Sequence, residues 1–169
     1  MTQPIPAAAT QHIVMLQSLH NTQARLVEVV EALPVEAHGW HPAPEEWSLR
    51  QTLSHLAAAE PPFYQRLCRI VAELNPWLPY FGPEVARPDH PESPMAALTR
   101  LRAERERVIA FLSGLSPEDW ERPAVHETMG PTTLAQQVQN LLNHDLEHLG
   151  QLHLLKQAWE AQRVVLEVR

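Results

Sequence analysis

Four long stretches of helical periodicity, separated by proline-bearing connections, dominate this 169-residue sequence. Apolar residues at helical spacing bury one face of a helix and leave the other in water. The first stretch runs from about Ala8 to Leu33 and stops at Pro34, with Ile13, Leu16, Ala24, Val27 and Val30 as its expected inner face. The second starts at Ser48, where Ser48 and Gln51 have the form of a capping box. It reaches about Glu60, meets Pro61-Pro62, and continues to about Leu74; the two missing N–H donors predict a kink or restart there. The third takes Ser93 as cap and Pro94 as first residue and ends at Gly114. The fourth begins near Thr132 or Thr133 and runs to about Trp159. Strand-like alternation is almost absent. Four amphipathic helices in a chain this size predict an all-α, four-helix bundle.

The connections differ in length. Residues 75–92 hold five prolines with Trp77, Tyr80 and Phe81, which suits a lid or a crossover better than a short bundle loop. Ser116–Trp120 reads as one short capped turn, and 121–131 as irregular. On the third helix Arg100, Arg102, Arg105 and Arg107 alternate with Glu104 and Glu106; the simplest reading is a solvated face with local ion pairs. Residues 1–8 read as a flexible Pro/Ala tail, and 9–169 as a single domain.

Composition narrows the function classes. The single cysteine, Cys68, gives no internal disulfide framework and no cysteine-rich zinc knuckle; it reads as an inert buried thiol. A net charge of −7 without a basic block argues against nucleic acid as partner. There is no run of 18 apolar residues for a membrane span and no secretory-type start, so a cytoplasmic location is expected. The plentiful source of chemistry is histidine, of which there are 10.

His144 and His148 are four apart on the fourth helix, so their rings stand one turn above the other on one face. That spacing lets two imidazoles grip one metal ion, although histidine-rich helices also produce it by chance. His55 on the second helix, flanked by Gln51, Thr52, Ala58 and Ala59, is the candidate third ligand. Three histidines with an open fourth position is the layout of a catalytic rather than a closed structural site. Gln151, one turn beyond His148, either bonds a bound water or substrate or is an interior polar residue paired with another helix. Glu147 either accepts a hydrogen bond from a metal-holding histidine or is a surface charge. His20 lies on the inward side of the first helix, more simply a core histidine than a pocket residue. His41 is a weaker pocket candidate. His12, His38, His90, His126 and His153 fall in loops or on outward faces and are assigned nothing. Trp47 and Trp120 are expected to plug the bundle; Trp77, Tyr80 and Phe81 are the lid candidates.

Two patches, His41-Pro42-Ala43-Pro44-Glu45-Glu46-Trp47-Ser48 followed by His55-Leu56 and Glu60, and Asn143 through Leu152, resemble the DinB-like (DinB/YfiT-like) superfamily of metal-dependent enzymes. The resemblance covers essentially the whole chain to Trp159. It implies an up-down-down-up bundle with a long crossover between helices two and three. It also implies His55, His144 and His148 as the ligands of one divalent ion (zinc, nickel or iron), and a homodimer. The implied reactions are transfer of a small-molecule thiol to an electrophile and metal-dependent hydrolysis; a non-catalytic metal-binding bundle is the third alternative. The sequence departs from the metalloprotease pattern His-Glu-x-x-His, because Asp145 follows His144 and Glu147 precedes His148.

Overall fold

The computed structural model describes residues 7–81 and 91–167. Four long helices, α1 (Ala7–Ala32), α2 (Leu49–Ala72), α3 (Pro94–Ser113) and α5 (Leu134–Glu167), form the bundle; α4 (Pro117–Trp120) is a single turn. Residues 1–6 of the expected tail lie outside the described residues, as do 82–90, with His90 and the middle of the 75–92 connection.

The local signals act as the sequence predicts. Ser48 Oγ accepts the Gln51 N–H at 3.3 Å while Gln51 Oε1 accepts the Ser48 N–H at 3.0 Å, closing the capping box. Ser93 caps α3 with Pro94 in its first turn. Three expectations change. α2 runs through Pro61 and Pro62 without a restart, its inward face held on both sides of the prolines. α5 continues past Trp159 to Glu167. The stretch expected to be irregular is an antiparallel hairpin of β2 (Pro123–His126) and β3 (Gly130–Thr133), which β1 (Trp77–Leu78) joins in parallel with β2. Gly130 sits at φ 74°, where a side chain would be strained. This small sheet closes one end of the bundle.

The apolar interior forms two clusters, and their order along each helix fixes the topology. α1 passes from the first cluster (Met15, Leu19) to the second (Leu26, Val30). α2 runs the other way, from Leu49 and Leu53 to Phe63 and Leu67; α3 does the same, from Leu98 and Leu101 to Val108 and Leu112. α5 returns, from Leu134 and Val138 to Leu149 and Leu152. The bundle is therefore up-down-down-up, and the chain between α2 and α3 must travel its full length.

Between the clusters each long helix places one polar residue at core spacing: Thr22, Glu60, Arg105 and Asp145, all buried. Arg105, 2% exposed, grips Glu60 through Nε at 3.1 Å and through Nη2. It also grips Asp145 through Nη1 at 2.6 Å and Nη2 at 3.1 Å. Thr22 Oγ1 donates to Asp145 Oδ2 at 3.0 Å. Burial opposes the charge on Arg105, but the two carboxylates outweigh it and hold the guanidinium protonated. The expected solvated face of α3 is thus corrected at one position. Arg102–Glu106 and Arg107–Glu104 are surface pairs, whereas Arg105 lies on the stripe of Leu98, Leu101, Val108 and Leu112. On α1 the expected face holds in part: Val30 is buried and Leu16 and Val27 pack against the clusters, but Ile13 and Ala24 are exposed, and Met15, Leu19, Thr22 and Leu26 point inward.

Removing one partner of such a cluster strands the rest without compensation. We expect Arg105→Met to cost about 3–5 kcal/mol, measured by urea denaturation. Replacing Glu60 and Asp145 with leucine in the same chain should recover most of that loss.

Candidate metal centre

α2 and α5 pack against each other, and each contributes to a histidine cluster beside the polar layer. His55 stands five residues before Glu60; His144 directly precedes Asp145, so the bonds from Arg105 to both carboxylates steady the two backbones that carry the rings. His55, His144 and His148 each offer a nitrogen within 4.8 Å of the others. His55 Nε2 and His144 Nε2 are 3.0 Å apart, and the three ring centroids lie 4.6–5.1 Å from one another. All three predicted ligands therefore meet, two from one helix and one from another.

The donor set fits a metal ion. Two nitrogens at about 2.0–2.1 Å from a tetrahedral zinc ion lie about 3.4 Å apart, within half an ångström or so of the observed pair. His148 Nδ1 donates to Gln151 Oε1 at 2.8 Å, which leaves the lone pair of the neutral ring on Nε2. Burial, then the charges of His148, His55 and Arg105, push His144 down to about 3, so it is neutral across the ordinary pH range. Neutral imidazole is the form that binds a metal.

The cluster opens on a cavity of about 740 Å³, within the size range of small-molecule sites. Trp47 packs its edge against His55 with centroids 5.0 Å apart and stacks beside His148 at 6.0 Å, so it lines the site, where a bundle plug was expected. Phe63 lies 5.5 Å from the His144 ring. Glu147 is exposed at the cavity rim, and Gln151, also exposed, positions His148 on its own helix; among the described residues it is not bonded across to a neighbouring helix.

Several expectations are overturned. His20 is exposed on α1 and does not line the cavity, because the inward stripe carries Leu19 in its place. His41 is exposed, its Nδ1 2.8 Å from the Glu46 carbonyl. His12 is buried and stacked on Trp120, centroids 4.2 Å apart. Cys68 is only half-buried. Trp77 is exposed on β1, whereas Tyr80 and Phe81 line the cavity. His126, placed in no role by the sequence, is buried at the cavity wall with Arg66. Nothing local marks either residue, since the small sheet and α2 bring them together from 60 positions apart.

Comparison with known proteins agrees with this architecture. The chain is 26% identical over 141 residues, 82% of each protein, to the Oceanobacillus iheyensis protein named "Putative metal-dependent hydrolase OB0413". It is 30% identical over 108 residues, 63% of each, to a second protein of that organism with the same kind of name. Its fold matches YfiT from Bacillus subtilis, described as "a probable metal-dependent hydrolase with an unusual four-helix bundle topology", with a TM-score of 0.79 at 20% identity over 95% of this chain and 93% of that one. A DinB-like protein of Bacillus subtilis, YjoA, matches with a TM-score of 0.58 at 15% identity over 85% and 90%. The profile of the DinB superfamily matches residues 18–152, which is most of the chain. The chain belongs to the DinB superfamily.

Proposed function

We propose that this protein is a metal-dependent enzyme that joins a small-molecule thiol to an electrophile, using His55, His144 and His148 to hold one divalent ion. The observation that carries the reading is the convergence of three imidazoles on the wall of an open cavity. A divalent ion held there lowers the pKa of a water or a thiol and so supplies a nucleophile near neutral pH.

The chain's own residues provide the rest. Gln151 fixes the tautomer of His148. Trp47 and Phe63 press on the rings and exclude water from that side. The cavity has room for a thiol and an electrophile together, and proximity then supplies much of the acceleration. In thiol transfer the thiol gives its proton to solvent, and as the C–S bond forms the electrophile either releases its leaving group or opens a ring or double bond, so little further acid/base machinery is needed. Hydrolysis is the second reading, favoured by the names of the Oceanobacillus iheyensis relatives. It requires a base at the cavity, for which Glu147 at the rim is the candidate.

Elemental analysis of the purified protein is expected to find one divalent ion per chain, and His148→Ala to lose it together with turnover. A panel of thiols with a chromogenic electrophile, run beside a panel of esters, separates transfer from hydrolysis; ester cleavage without thiol turnover would favour the second reading. The low pKa of His144 also predicts a pH effect in chelator-treated protein. Its unfolded ring takes up a proton below about pH 6.5, while the folded one resists to about 3. The stability this neutral ring retains is complete above that unfolded value and is lost as the pH falls toward the folded one. In urea midpoints at pH 7 and pH 5, His144→Gln should show a smaller drop than the natural chain.

A further inference from the structure

The cavity has a second pole. Arg66 lies eleven residues beyond His55 on α2, which is three turns and about 20°, with a rise of about 16 Å. His55, Ala59, Phe63 and Arg66 consequently share one stripe, and all four line the cavity. Arg66 is 6% exposed. Its Nη2 donates to the Pro79 carbonyl, its guanidinium lies 3.6 Å from the Phe81 ring centroid, and its Nε is buried with no hydrogen-bond partner among the described residues. Among the described residues no carboxylate is paired with it, in contrast to Arg105, which holds two. Burial lowers Arg66 only to about 10, so it is a cation at neutral pH. A buried charge is costly unless something supplies its counter-charge.

His126 stands beside it, 3% exposed on β2 and also lining the cavity. Its Nδ1 accepts the backbone N–H groups of Thr128 and Met129 at 3.3 and 3.4 Å. A neutral imidazole accepting at Nδ1 carries its proton on Nε2, where it is a donor. Burial and the charge of Arg66 keep that ring neutral. The neighbouring Glu127 turns its carboxylate to the Tyr80 N–H at 2.6 Å. Phe63 and Phe81, edge to face at 5.3 Å, form an apolar wall next to the guanidinium.

We propose that Arg66 and His126 bind the carboxylate of the substrate. The substrate class is a small molecule with a carboxylate at one end, an apolar middle, and its reacting atom at the three imidazoles. This deepens the reading of the cavity as a reaction site and rests on it. The pocket offers one positive charge and one neutral donor, which matches a carboxylate monoanion better than a phosphate dianion.

The test is calorimetric titration of octanoate, octanamide and octyl phosphate into the full-length protein, as purified and after chelation. Octanoate should bind in both states, more tightly than octyl phosphate. Arg66→Gln should weaken octanoate about 10- to 100-fold and leave octanamide unchanged. Arg66→Lys, which keeps the charge but not the planar fork, should lose less. If Arg66→Gln fails to fold, Arg66→Lys and His126→Phe serve instead, Arg66→Lys being required to weaken octanoate more than octanamide and His126→Phe to weaken octanoate. Absent octanoate binding, or binding indifferent to these changes, overturns the proposal; tighter binding of octyl phosphate overturns the choice of carboxylate. Failure of the metal reading looks different: the protein holds no ion, yet octanoate still binds His148→Ala in an Arg66-dependent way.

Discussion

Arg105 is the interaction on which the arrangement depends. One guanidinium, taken out of water, reaches Glu60 on α2 and Asp145 on α5, and Thr22 of α1 completes the layer by donating to Asp145. Apolar packing alone tolerates sliding of one helix past another, since a leucine fits many neighbouring hollows. A buried charge meets its partners in very few registers, because each missed bond leaves a desolvated group uncompensated. The layer thus divides the interior into two apolar clusters and sets the axial position of all four helices at once.

The histidine cluster inherits that register. His144 is next to Asp145 in the chain and His55 is little more than one turn from Glu60, so fixing the carboxylates fixes the rings. The up-down-down-up order has a second consequence. It sends the chain from α2 along the whole bundle before α3 begins, and the first residues of that passage form β1 and carry Tyr80 and Phe81 over the cavity. The β2–β3 hairpin then adds His126. One helix, α2, therefore supplies residues to both poles of the cavity, while the small sheet shapes the pole away from the imidazoles.

Much of this was legible in the residues. Helical periodicity and capping at Ser48 and Ser93 gave the long helices, because both act over one or two turns. The spacing of His144 and His148, with His55 on a second helix, pointed to the cluster now seen to converge. Arg105 is visible too, although in the sequence it stands within a run of charges that suits a solvated face. Its position on the spacing Leu98, Leu101, Arg105, Val108, Leu112 is a core position, and Glu60 and Asp145 occupy equivalent places on their own helices. Polar residues at core spacing on several helices are a signal of a buried network. The face of α1 is only partly legible, because apolar residues occur on both sides of it: Val30 is buried as its spacing predicts, and only packing selects Met15, Leu19 and Leu26 over Ile13 and Ala24.

The sequence alone determined where helices start, which residue types could bind a metal, and that two imidazoles share a face, since these depend on contacts within a few turns. Tertiary structure decided which charges are buried, that Trp47 belongs to the site, and that Arg66 and His126 face one cavity. Those outcomes depend on groups as far apart along the chain as Trp47 and His148, whose encounter is set by how whole helices dock and not by any spacing within one of them.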